Sequence, residues 1–260
     1  MSTGQLRVER EGPVGRLVLD NQERRNAISA GMWKAIPAAV AAFDADPDIR
    51  VIVVRGAGTQ AFAAGADISE FEKNRSSESQ VANYEAATAA AHRALEASPR
   101  PVIALIHGFC VGGGLALALS CDLRYADASS RFAIPAARLG LGYGVHGTRR
   151  LVATVGHANA REIMFSARRY DANEALAMGL VNRVVADADL DAHVQKIAAD
   201  LAANAPLTMA ASKAVINAIA AGQADYADAE AAVLRCMKSE DYVEGRRAFM
   251  EKRAPVFKGK

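Results

Sequence analysis

Three cysteines in 260 residues, Cys110, Cys121 and Cys236, form no CxxC pair and are odd in number. That excludes both a disulfide framework and a cysteine zinc site. The five histidines contain no HExxH, so no metal site is expected. No run approaches about 18 uncharged apolar residues, the minimum for a membrane-spanning helix. The opening MSTGQLRVEREG lacks the apolar core of a secretory signal, so a cytoplasmic location with no membrane partner is expected. Charge of one sign is missing too: Lys+Arg 31 against Asp+Glu 29 leaves +2, with no clustered basic face. A nucleic-acid partner is therefore not expected. There is no Walker sequence and no GxSxG nucleophile elbow. GYGVHG (142–147) fits GxGxxG by letter, but it follows PAAR rather than a buried strand and no acid lies about 20 residues on, which argues against a dinucleotide site.

What the chain does have is apolar bulk, 51% hydrophobic residues, enough for one large domain or a domain with a helical appendage. QLRVER and VGRLVL read as a hairpin around Glu11-Gly12-Pro13. Ser29 is a plausible N-cap for an amphipathic helix that contains Pro37. VIVV (51–54) and VIALI (102–106) are continuous β-branched runs, the pattern of strands buried on both faces with helices between them. SEFEKNRSSESQ is too charged to bury and is expected to be a lid or an exposed helix. Helices dominate from about residue 157, interrupted by GLVNRVV, and the apolar Val256 and Phe257 lie beyond the last helix. They would dock either on a partner subunit or within the chain. The expected architecture is α/β over 1–190, followed by a helical region over 191–260.

Glycine-bearing loops follow both buried strands, AFAAGAD and HGFCVGGG. Ligands of α/β folds bind at strand ends. The triplet lets the chain turn into a helix whose first N–H groups are unpaired. One amide from each loop could converge on a single oxygen, an oxyanion hole in which each donor is worth about 3 kcal/mol in the transition state. The competing reading is two tight turns that merely need glycine.

FAAGADISEF, PVIALIHGFCVGGGLALALSCDLRYA, GTRRLVATVG and AFMEKRAPVF, in this order, resemble the enoyl-CoA hydratase/isomerase (crotonase) superfamily over nearly the whole chain. The resemblance implies a spiral of ββα repeats with a C-terminal helical trimerisation region, assembled as a homotrimer or dimer of trimers. It implies an acyl-CoA thioester substrate, with coenzyme A as part of that substrate and no separate cofactor. The oxyanion hole would fall on the N–H groups of Ala66 and Gly113. Coenzyme A contacts would fall near Ala64, Asp67 and Ile68, on Arg24 and Arg25 near the phosphates, and on a neighbouring subunit's Phe249 and Lys252. For the arginines, solvated surface is the competing reading.

The family's hydratases place one glutamate two residues after the glycine triplet and one after the next loop's proline; this chain has Ala116 and Ala136 there. A positioned acid or base is worth about 10²–10⁴-fold, so little of the usual hydration is expected. The aspartate nucleophile of the dehalogenase branch, near Gly144, is missing as well. Tyr143 matches the tyrosine of methylmalonyl-CoA decarboxylase-like members. Decarboxylation needs no base to form the enolate, and a phenol of pKa about 10 can donate a proton to it. Those enzymes carry histidine where this chain has Ala66. Tyr143 and His146 also read as loop residues bonded to backbone, and His107 as structural. Three functions stand: a hydratase-like lyase, a decarboxylase using Tyr143, and a catalytically silent CoA- or RNA-binding protein.

Overall fold

The computed structural model describes residues 4–67, 70 and 77–260. Strands β1 (Gln5–Glu11) and β2 (Val14–Asp20) form the expected antiparallel hairpin. Helix α1 (Ala30–Ala45) starts at Ser29, whose hydroxyl accepts from the Met32 amide, and it accommodates Pro37 in its interior. There follow β3 (Val51–Gly56), β4 (Ala61–Ala63), α2 (Glu78–Ala97), β5 (Val102–Ile106), β6 (Phe109–Val111) and α3 (Gly113–Leu119). Next come β7 (Leu123–Asp127), β8 (Arg131–Ala133), α4 (Val145–Ser166), β9 (Tyr170–Asp171), α5 (Ala172–Ala177) and β10 (Arg183–Val185). Four helices close the chain: α6 (Leu190–Ala202), α7 (Pro206–Ala220), α8 (Ala227–Met237) and α9 (Glu240–Glu251).

The strands sort into two sheets, β1-β2-β3-β5-β7-β10 and β4-β6-β8-β9. Successive pairs β3/β4, β5/β6 and β7/β8 each give their first strand to the large sheet and their second to the small one. This is the turn of a ββα spiral. All three central pairings of the large sheet, β2 with β3, β3 with β5 and β5 with β7, are parallel, so the sheet must be covered on both faces. The alternation of β3 and β5 shows how. Val51, Val53, Ile103 and Leu105 pack under Leu190, Val194 and Ala198 of α6, while Ile52, Val54, Ala104 and Ile106 join the main core with Trp33, Ile36 and Leu95. A break at residue 190 falls at the start of α6, which lies on the sheet it follows.

Two expectations shift. Helix α4 begins at Val145, inside the segment read as a loop, and breaks at Gly156 (φ 75°). Glycines 142, 144 and 147 lower local helix propensity and hide its start, whereas the residues beyond Gly156 show the helical pattern plainly. The C-terminal tail packs within the chain: the Phe257 ring lies beside Gly245, and Asp241 accepts from the Lys258 and Gly259 amides at 2.7 and 2.8 Å. No helix is long and apolar enough to cross a membrane among the described residues. Of the expected lid, residues 69 and 71–76 lie outside the described residues.

Candidate active site

Strands β4 and β6 are parallel neighbours, Ala61 opposite Phe109 and Ala63 opposite Cys110. Their C-terminal ends therefore run out side by side, which brings the AGAD loop against the glycine triplet. The first loop is fixed from several directions. Buried Asn26, in the left-handed conformation (φ 56°), donates from Nδ2 to the carbonyls of Ala57 and Ala61 at 2.9 and 2.7 Å. The Ala64 amide bonds to Arg25 O. Ile28 and Ala66 form a parallel bridge, through Ile28 N–H to Gly65 O and Asp67 N–H to Ile28 O. That pattern turns the Ala66 amide to the opposite side, and it has no acceptor among the described residues.

The second loop is held by Gly112, at φ 54°, whose amide bonds to Ala133 O at 2.8 Å. Gly114 lies so close to β4 that a Cβ there would meet Ala63 O at 2.4 Å. Between them, Gly113 begins α3 with its amide unpaired among the described residues. Its Cα face is turned to the other loop: a Cβ built on it would be 3.5 Å from the Ala66 nitrogen and 3.5 Å from Trp33 Cζ2. The structure thus places the two expected amides together, unpaired and adjacent.

The remaining expected residues divide. Arg24 and Asp67 are brought together, Arg24 Nη1 donating to both carboxylate oxygens at 2.9 and 2.8 Å. Arg25 lies over the Phe109 ring, 4.7 Å from its centre. Ile68 lies outside the described residues. Phe249 stands on α9 with 83% of its surface exposed, and Lys252 ends that helix in the left-handed conformation. Helix α9 contacts α8, and its first amides, of Glu240 and Asp241, bond to the Lys260 carbonyl of the C-terminal tail.

The Tyr143 ring rests on Gly147, where a Cβ would come within 2.9 Å of it. Its hydroxyl is buried and has no hydrogen-bond partner among the described residues, contrary to a loop residue bonded to backbone. Burial pushes the phenol pKa up, so the group stays protonated. His146 Nε2 is 3.2 Å from Glu96 Oε1, which also accepts from Arg150 Nε at 2.6 Å. Burial pushes Glu96 up, but the Arg150 hydrogen bond and charge outweigh it and hold the carboxyl below its usual range. His107 bridges Asp127 and Asp191, 2.7 Å from each, away from the unpaired amides and in the structural role expected. Ala116 and Ala136 are both buried. No cluster of three or more metal-ligating side chains occurs among the described residues.

Sequence reasoning missed Asn26, Trp33, His92 and Glu96. Only His92 had a visible signal, a lone imidazole within the alanine-rich helix AATAAAHRALEA.

Residues 9–260 match the model of the enoyl-CoA hydratase/isomerase family. The chain belongs to that family. Among its relatives, the short-chain-enoyl-CoA hydratase of Clostridium acetobutylicum is 34% identical over 255 residues, 97% of both chains. The crotonyl-CoA hydratase of Syntrophomonas wolfei is 35% identical over 253 residues, 96% of both. A solved enoyl-CoA hydratase/carnitine racemase from Magnetospirillum magneticum superposes with a TM-score of 0.95 at 37% identity, over 100% of this chain and 97% of that one. Within the enoyl-CoA hydratase/isomerase family, this chain has the crotonase fold and acts on acyl-CoA.

Proposed function

We propose that the protein is an acyl-CoA lyase that holds the thioester carbonyl on the Ala66 and Gly113 amides and stabilises the enolate formed from it. The observation that carries this reading is the pair of amides on neighbouring strand ends, both unpaired among the described residues, with a Cβ built on Gly113 coming 3.5 Å from Ala66 N. Negative charge that develops on the carbonyl oxygen meets two fixed donors that need no reorganisation. Coenzyme A arrives as part of the substrate, beside Ala64 and the Arg24–Asp67 pair, and no further cofactor is required. The hydratase names of the relatives favour reversible addition of water to a 2-enoyl thioester.

A second reading, decarboxylation of a malonyl-type thioester, is favoured by one observation, the buried Tyr143 hydroxyl with no partner among the described residues. Leaving such a group unsatisfied costs about 1–3 kcal/mol, which a bound ligand would recover. There the phenol would protonate Cα after CO₂ leaves. Self-association completes the reading. Val233, Leu234, Met237, Val243, Phe249 and Met250 expose apolar surface on α8 and α9, and we assign that surface to a trimer in which Phe249 and Lys252 reach a neighbour's substrate.

Incubation with crotonyl-CoA and, separately, methylmalonyl-CoA tests the choice. Loss of the enoyl chromophore is expected with the first. CO₂ release from the second that falls at least about tenfold in Tyr143→Phe would establish the decarboxylase instead. Release that survives the substitution removes Tyr143 from the chemistry, and inertness toward both contradicts the lyase reading.

A further inference from the structure

With alanine at 116 and 136, hydration lacks a carboxylate base, and the face of α3 that carries Gly113 leads to another group. Residues three and four apart stack along a helix, so Gly113, Ala116 and Ser120 lie on one face. Ser120 Oγ donates to Ala116 O at 3.3 Å, while the Ser120 amide turns to Leu117 O. Ser120 Oγ also lies 2.9 Å from His92 Nδ1; with the hydroxyl proton on Ala116 O, the ring donates at Nδ1 and the oxygen accepts. In that arrangement Nδ1 carries the proton and Nε2 the lone pair. No donor meets Nε2 among the described residues.

The ring is buried and lies near two others. Trp33 is 5.3 Å away by centroids, and the Cζ2 of that indole is the atom 3.5 Å from the Cβ position of Gly113. His146 is 5.6 Å away by centroids, and Glu96 holds its Nε2 at 3.2 Å while accepting from Arg150. We propose that His92 Nε2 is the base that takes the proton of the attacking water, the task of the glutamate absent at 116. The inference rests on the reading that the thioester carbonyl binds to Ala66 and Gly113.

In the step, the water oxygen bonds to C3 of the 2-enoyl thioester as one O–H bond breaks and its proton passes to Nε2. The C2–C3 π pair moves to C1–C2, and the carbonyl π pair moves onto the oxygen held by the two amides. The enolate then collapses: C2 takes the same proton from Nε2–H, the ring returns to neutral, and a 3-hydroxyacyl thioester results. Nothing else is consumed. Burial, and after it the charge of His146, lower the His92 pKa to about 4, with Glu96 opposing and Arg150 adding to the shift. At neutral pH the ring is thus uncharged, with the basicity of an ordinary carboxylate.

The test uses the whole protein, crotonyl-CoA for turnover and butyryl-CoA for calorimetric binding. His92→Gln is expected to lower kcat by at least about 10²-fold with butyryl-CoA affinity unchanged. The acid limb of kcat/KM, near pH 4 in the unsubstituted protein, is expected to vanish from the residual activity. Ser120→Ala leaves the ring and removes the acceptor that fixes its tautomer; about a tenfold loss in kcat, the worth of one hydrogen bond, is expected even if His92→Gln folds poorly. Binding without hydration by the unsubstituted protein, or hydration indifferent to both substitutions, overturns the assignment and leaves the thioester reading standing. Absence of butyryl-CoA binding overturns that reading as well.

Discussion

Gly113 and Gly114 are adjacent in sequence and opposite in what they tolerate. A methyl on Gly114 would meet Ala63 O at 2.4 Å and Ala63 Cβ at 2.7 Å, and a backbone carbonyl within a sheet cannot give way. Gly114→Ala is expected to destabilise the fold by about 2–3 kcal/mol or more, read from the denaturant midpoint. A methyl on Gly113 makes only ordinary contacts, so Gly113→Ala is expected to fold normally. It would stand 3.5 Å from the Ala66 nitrogen, against one of the two donors, and is expected to lower kcat about 10²-fold. Equal loss of stability in both variants would contradict this division. The glycines were legible because the triplet is costly and follows a buried strand. Asn26 was not, since a buried asparagine that ties two carbonyls looks in sequence like any turn residue. Nor was His92, whose role depends on Ser120, 28 positions away, and on which oxygen that hydroxyl bonds.

Helix α6 is pinned to the large sheet by more than its apolar face. His107, at the end of β5, lies between Asp127 of β7 and Asp191 in the first turn of α6, and Arg55 of β3 pairs with Asp191. Burial alone would lower the His107 pKa, but its hydrogen bonds to the two aspartates outweigh burial and raise it. Its contribution is complete below the ordinary histidine value of 6.5 and is lost as pH rises through the raised folded value. Burial would raise Asp127 and Asp191; the His107 hydrogen bond, with Ser130 and Ser129 on Asp127 and Arg55 on Asp191, lowers both. Their contribution is present above 3.8 and is lost as pH falls through the lowered values. The bridge is therefore strongest between those limits. His107→Asn is expected to cost on the order of 3 kcal/mol in mildly acidic solution, because the His107–Asp127 pair is buried. The cost should shrink above the folded histidine pKa, and a pH-independent difference would contradict the account. The hairpin, the Ser29 cap and the two buried strands were readable from periodicity and capping chemistry. The start of α4 was not, because three glycines mask a helix that tertiary packing stabilises.

The exposed apolar surface of α8 and α9 is the surface we assign to a trimer. Sedimentation is expected to give three times the 27.4 kDa of one chain, or six. Leu234→Asp, at a site 55% exposed, is expected to yield monomer and to weaken butyryl-CoA binding, because Phe249 and Lys252 then reach no neighbour. A monomer in the unsubstituted protein would contradict it. The family was legible in the ordered motifs along the chain. The proposed chemistry was legible only in part, since the motifs point to the two glycine loops while the surroundings of His92 and Tyr143 depend on residues far apart in the chain. The most direct measurement is a crystal structure with a bound acyl-CoA. The account predicts the thioester oxygen about 2.7–3.1 Å from both the Ala66 and Gly113 nitrogens. A carbonyl out of hydrogen-bond reach of both would contradict it.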